Sequence, residues 1–118
     1  MALDAFPPPA LAVQRAQGFW SRLFGLLAHP TLHKGEALLL APCSGVHTLF
    51  MPYAIDVLFI DREGRVLQVA ADLQPWRARF CRGAYAALEL RAGQAAQYGL
   101  IAGDRLDPRL LIGGWRDE

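Results

Sequence analysis

Cys43-Ser-Gly-Val-His-Thr-Leu-Phe-Met-Pro-Tyr-Ala-Ile-Asp-Val-Leu-Phe-Ile-Asp61 runs directly into Arg62-Glu-Gly-Arg-Val-Leu-Gln-Val-Ala-Ala71. The second half of this stretch decides the fold. Ile55 to Asp61 is an apolar, β-branched and aromatic run, which predicts a strand. Asp61-Arg62-Glu63-Gly64 is a turn, with Gly64 taking positive φ to give a tight hairpin with a bulge. Arg65 to Ala71 returns as the partner strand. Upstream, Gly45 to Met51 predicts another strand. Val46, Thr48 and Phe50 then face one way and His47, Leu49 and Met51 the other, until Pro52-Tyr53 breaks it.

Working outward, Gly35 opens an apolar run from Glu36 to Ala41 that Pro42 terminates, as expected of a strand buried on both faces. Phe19 to Ala28 reads as a short helix: Ser21 can cap it, Leu23, Phe24, Leu26 and Leu27 share a side, and His29-Pro30 ends it. Residues 1–17 form an N-terminal arm, flexible or strapped down, whose Pro7-Pro8-Pro9 favours polyproline II; Ala10 to Gln17 is ambiguous between helix and strand. On the other side, Gln74-Pro75-Trp76-Arg77 is a loop and Tyr85 to Arg91 a strand. A short helix near 93–98 lies between Gly93 and Gly99. Gly103-Asp104 is a turn, followed by short closing strands at 105–106 and 109–112.

These elements make one β-rich domain over 18–113, with 114–118 as a tail. The fold class is mainly β with small helices (α+β): a compact antiparallel β-barrel or sandwich with a short N-terminal helix and the helix near 93–98. A chain of 118 residues is long enough for a real core without metal or disulfides. Its hydrophobic fraction of 53% is high and its charged fraction of 19% low, which fits strands buried on both faces or an exposed apolar patch. Net charge is +1, from 12 basic and 11 acidic residues, so charge gives nucleic-acid binding no support. Asp4 and the proline triplet argue against a secretory signal, and no apolar run approaches the ~18 residues of a membrane helix. The expectation is a cytoplasmic protein with reduced cysteines, either monomer or homodimer, and no membrane or nucleic-acid partner.

Taken in order, Arg22-Leu23-Phe24-Gly25-Leu26-Leu27, Glu36 to Leu40, His47-Thr48 with Met51, Ile55-Asp56-Val57 with Phe59-Ile60-Asp61, Leu88-Glu89-Leu90 with Ala92-Gly93, and Gly99-Leu100 with Gly103-Asp104 resemble the motifs of the domain-of-unknown-function 192 family. The resemblance covers most of residues 20–106. It implies a small, mostly β fold and no particular activity. Many family members carry an N-terminal signal or anchor; this chain looks like a soluble branch.

Several polar groups in the opening stretch sit between apolar residues, where each must be hydrogen-bonded or face a cleft. Asp56 begins a buried strand, so its carboxylate either accepts backbone N–H bonds or serves a cleft as ligand or general base. His47 is a core histidine or a pocket donor. Trp76, Arg77, Arg79 and Arg82 surround Phe80-Cys81. They either form a solvated loop sealing the barrel end or supply an anion subsite, arginine forks for the charge and tryptophan for stacking. The candidate ligand-binding set is therefore His47, Thr48, Met51, Asp56, Trp76, Arg77 and Arg82.

Cys43, His47 and Cys81 are the residues that could form a Cys₂His metal site, but no metal is expected. Four residues of strand span about 13 Å, and no C-x₂-C pair is present. Free thiols are expected at Cys43 and Cys81 rather than a disulfide between them, and no cofactor is expected. The function indicated is a binding or accessory module for a small anionic ligand or a partner protein. The alternative is a small hydrolase or lyase using Asp56 and His47.

Overall fold

A computed structural model of the chain describes residues 12–16, 34–48 and 51–107. Seven strands occur among them: β1 (Ala12–Ala16), β2 (Glu36–Leu40), β3 (Gly45–His47), β4 (Ile55–Ile60), β5 (Val66–Leu73), β6 (Ala78–Phe80) and β7 (Ala86–Arg91). One short helix, α1 (Gln94–Gln97), follows β7. The expected N-terminal helix at 19–28 and the closing strand at 109–112 lie outside the described residues, as do Leu49 and Phe50.

Five strands form one sheet in the order β1-β2-β7-β4-β5. Its pairings are antiparallel except β1 with β2, which run parallel from Ala12↔Glu36 to Ala16↔Leu40. β3 and β6 make a separate two-stranded antiparallel sheet. The mostly β expectation therefore holds, but the sheets do not close into a barrel. Among the described residues β1 and β5 remain edges of an open sheet. The short strands and frequent turns misled here, because they are as compatible with an open sheet carrying a small second one as with closure.

Both faces of the large sheet are buried, which is why its central strands read as apolar runs rather than as alternation. Every residue of β4 is buried. On one face Leu39, Leu58, Ile60, Val66, Leu88 and Leu90 pack with Ala95, Leu100 and Leu106 from the segment after β7. On the other, Leu38, Leu40, Ile55, Val57 and Phe59 pack with Val46 of β3 and with Met51. The small sheet thus covers the second face.

The hairpin β4–β5 forms as expected, with the ladder irregular between Phe59 and Ile60. Asp61 Oδ1 accepts the N–H groups of Glu63 and Arg65, both at 2.9 Å, so the aspartate builds the turn itself. Gly64 has φ 88°. A Cβ there would meet Leu106 O at 2.6 Å, and Leu106 N donates to Gly64 O at 2.7 Å. Glycine is required both for its dihedral and for this close approach. No helix among the described residues is long and apolar enough to cross a membrane.

Candidate functional site

Thr48 organises the small sheet. It is fully buried, and its Oγ1 donates to Gln74 O at 2.6 Å while accepting the Arg77 N–H at 2.9 Å. Its own N–H donates to Arg77 O at 2.8 Å, and its carbonyl accepts from Trp76 N at 3.1 Å. One hydroxyl and one peptide unit thereby fix the loop 74–77, in which Trp76 takes φ 65°. Thr48 is spent on holding this loop.

The loop delivers the chain into β6, paired with β3 through Gly45↔Phe80, Val46↔Arg79 and His47↔Ala78. All three β6 residues are exposed. Phe80 is 76% exposed, its ring laid against Gly45, where a Cβ would collide with the ring. Trp76 is 59% exposed. Alternation along the ladder puts His47, directly opposite Ala78, on the same face as Phe80 and opposite to Val46. Met51 is buried in the core instead, so His47 and Met51 are not brought together as the strand reading expected. Phe80 and Arg79 were absent from the sequence-derived candidate set. The signal for them, an aromatic between arginines in 76–82, is present in the sequence, where the segment reads as either a solvated loop or an anion subsite.

Asp56 lies on the opposite face of the large sheet, 1% exposed. Its Oδ1 accepts the Asp72 N–H at 2.8 Å, and its Oδ2 accepts those of Gly93 and Ala95 at 3.0 and 2.9 Å. Three backbone donors engage the carboxylate, tying β4 to β5 and to the start of α1. Gln94 reinforces this corner: its Oε1 accepts the Gly35 N–H at 2.7 Å and its Nε2 donates to Gln97 Oε1 at 2.8 Å.

Glu89 was not anticipated. It stands in β7 between Leu38 and Val57 on the face covered by the small sheet, 1% exposed, and its Oε2 has no hydrogen-bond partner among the described residues. Burial pushes its carboxyl up to about 8. Arg91, two residues along, stacks its guanidinium 4.2 Å from the centroid of the Tyr53 ring.

Cys43 and Cys81 are half-buried thiols, not bridged. Cys43 Sγ donates to Gly45 O at 2.9 Å, and burial raises the Cys81 thiol. Cys43, His47 and Cys81 do not converge: no group of three potential ligands able to hold a metal occurs among the described residues. His47 sits on the outer face of the small sheet, whereas both sulfurs pack against the core beneath it.

Two clefts flank these features. One, of about 540 Å³, is lined by Cys43, Ser44, Asp61, Arg62 and Tyr85, with Arg62 stacked 4.3 Å from the Tyr85 ring centroid. The other, of about 790 Å³, is lined mostly by apolar residues including Leu67, Val69, Ala96, Leu100 and Ile101, and it reaches Asp56. Neither is lined by His47, Trp76, Arg77 or Arg82.

An open, mostly antiparallel sheet buried on both faces, with a small β3–β6 sheet over one of them, defines the class of fold. The sequence matches the model of the DUF192 family, described as "Uncharacterized ACR", over residues 5–108, and the chain belongs to that family. No curated protein matches it. Two solved structures are similar to it in fold. One is a protein of unknown function from Novosphingobium aromaticivorans DSM 12444, with TM-score 0.71 and 22% identity, covering 80% of this chain and 73% of the other. The second, from Sinorhizobium meliloti 1021, is described as a "putative transcription regulator"; it has TM-score 0.71 and 22% identity and covers 80% of this chain and 79% of its own.

Proposed function

We propose that this protein is a recognition module that binds an acidic, extended segment of a partner protein along β6 and catalyses no reaction. The observation that carries the reading is a strand exposed along its whole length, with two large aromatics, Trp76 and Phe80, and three arginines, Arg77, Arg79 and Arg82, in and around it. Among the described residues β6 pairs only with β3. The bonds Thr48 N to Arg77 O and Cys81 N to Ser44 O set the alternation of the ladder. By that alternation the peptide groups of Ala78 and Phe80 point away from β3, available to an added strand. Arginine forks complement carboxylates, and the aromatic rings supply apolar contact.

A small anionic ligand fits less well, because neither described cleft is lined by Arg77, Arg79 or Arg82. The enzyme alternative loses its base, since both oxygens of Asp56 accept backbone bonds. Two unbridged thiols suit a reducing compartment, and we place the protein in the cytoplasm on that ground.

The test is fluorescence anisotropy with a fluorescein-labelled peptide of alternating glutamate and valine, beside a labelled DNA duplex. Binding of the peptide is expected, weakening with salt and falling about tenfold in R77E/R79E and several-fold in F80A. Peptide binding unchanged in R77E/R79E, no peptide binding at all, or preference for the duplex would each overturn the reading.

A further inference from the structure

We propose that Cys43 and Cys81 are a reversible dithiol–disulfide pair, which on oxidation staples the turn before β3 to the turn after β6. Three backbone bonds place them together. Cys81 N donates to Ser44 O at 3.0 Å, so the β3–β6 ladder continues one step past Gly45↔Phe80 and sets Cys81 opposite Ser44. Cys43 N donates to Tyr85 O at 2.7 Å, and Ala84 N to Cys81 O at 3.2 Å, so residues 81–85 form a turn closed against residues 43–44. A cross-strand step with one residue's offset separates the two Cα atoms by roughly 6 Å, inside the span a disulfide bridges. Ser44 lies in a bend, which frees Cys43 from strand alternation. Both sulfurs pack against the same apolar cluster, that of Leu40, Val46, Met51 and Phe59, and so lie on one side of the small sheet.

Access differs between the two. Cys43 lines the open cleft of about 540 Å³ beside Arg62, whereas Cys81 does not. Cys43 is therefore the thiol that meets an oxidant first, and Cys81 is the one that resolves. With a low-molecular-weight disulfide as oxidant, the Cys43 thiolate attacks one sulfur of that disulfide, forming a mixed disulfide and releasing one thiol. Cys81 then gives up its proton and attacks Cys43 Sγ as the thiolate, forming the Cys43–Cys81 bond and releasing the second sulfur as a thiolate that takes up a proton. Two protein thiols are oxidised and one external disulfide is reduced to two thiols. The Cys43 Sγ contact to Gly45 O must break for the first step.

The experiment is intact-mass spectrometry after incubation of the full chain with oxidised glutathione at pH 8 and trapping with N-ethylmaleimide. The expected product is about 2 Da lighter than the reduced protein, carries no maleimide and returns to the dithiol with dithiothreitol. Peptide mapping should find Cys43 joined to Cys81. C81S should instead accumulate a stable glutathione adduct on Cys43, because the resolving thiol is gone. Wild-type protein that ends with glutathione on either cysteine, or with both thiols still available to maleimide, would overturn the proposal.

Discussion

Asp56 and Glu89 are each 1% exposed, yet their chemistry diverges. Asp56 accepts three backbone N–H bonds, which compensate its desolvation. Glu89 Oε2 has no partner among the described residues, and burial alone drives its carboxyl from 4.5 up to about 8. The consequence is a pH dependence of stability. Between those two values the folded state holds a proton that the unfolded state has released. Stability is therefore greatest below about 4.5, declines as pH rises towards 8, and levels off above it. The decline should amount to a few kcal/mol on this account. Urea melts of wild type and E89Q at pH 5 and 8 check it: E89Q should lose most of the difference between the two pH values. An equal decline in both proteins would show that Glu89 stays charged in the fold or titrates as it does when unfolded.

At the scale of elements, the β4–β5 hairpin was readable because its determinants are local. Asp61 accepts bonds from residues two and four along, and Gly64 supplies the left-handed step. The severity of the Gly64 requirement was not readable, since Leu106 O comes from 42 residues downstream. G64A should cost about 2–4 kcal/mol, the sum of the dihedral penalty and the clash. G103A shares the positive φ of 96° with nothing within 4 Å of its Cβ, and should cost only about 1 kcal/mol. Comparing the two in thermal or urea denaturation separates local strain from packing; equal losses would remove the role given to Leu106. β6 shows the reverse case. Arg77-Ala78-Arg79-Phe80 alternates over only four residues, too short a run to mark a strand by itself, and it becomes one because Thr48 pins the loop before it and β3 offers a ladder.

For the whole molecule, order of burial should set order of protection. β4 and β7 are central in the large sheet and almost wholly buried, whereas β6 is exposed throughout. Native-state hydrogen exchange should find the slowest amides in β4 and β7 and, among the strands, fast exchange in β6 at Ala78 and Phe80. Protection of those two amides as strong as in β4 would mean that the β6 edge is already covered, and with it the surface proposed for a partner.

Local sequence was enough for the hairpin, for strands read at 36–41 and 85–91 that form over 36–40 and 86–91, for the short helix after Gly93 and for the mainly β class, because each rests on local turn chemistry and on apolar runs within one segment. Family membership, too, was legible in its ordered motifs. Tertiary structure alone decided that the sheet stays open, that β1 joins it in parallel, that Asp56 faces backbone donors and that Glu89 is entombed. Those outcomes depend on partners tens of residues away, and a carboxylate on a strand carries in its own neighbourhood no sign of what will cover it.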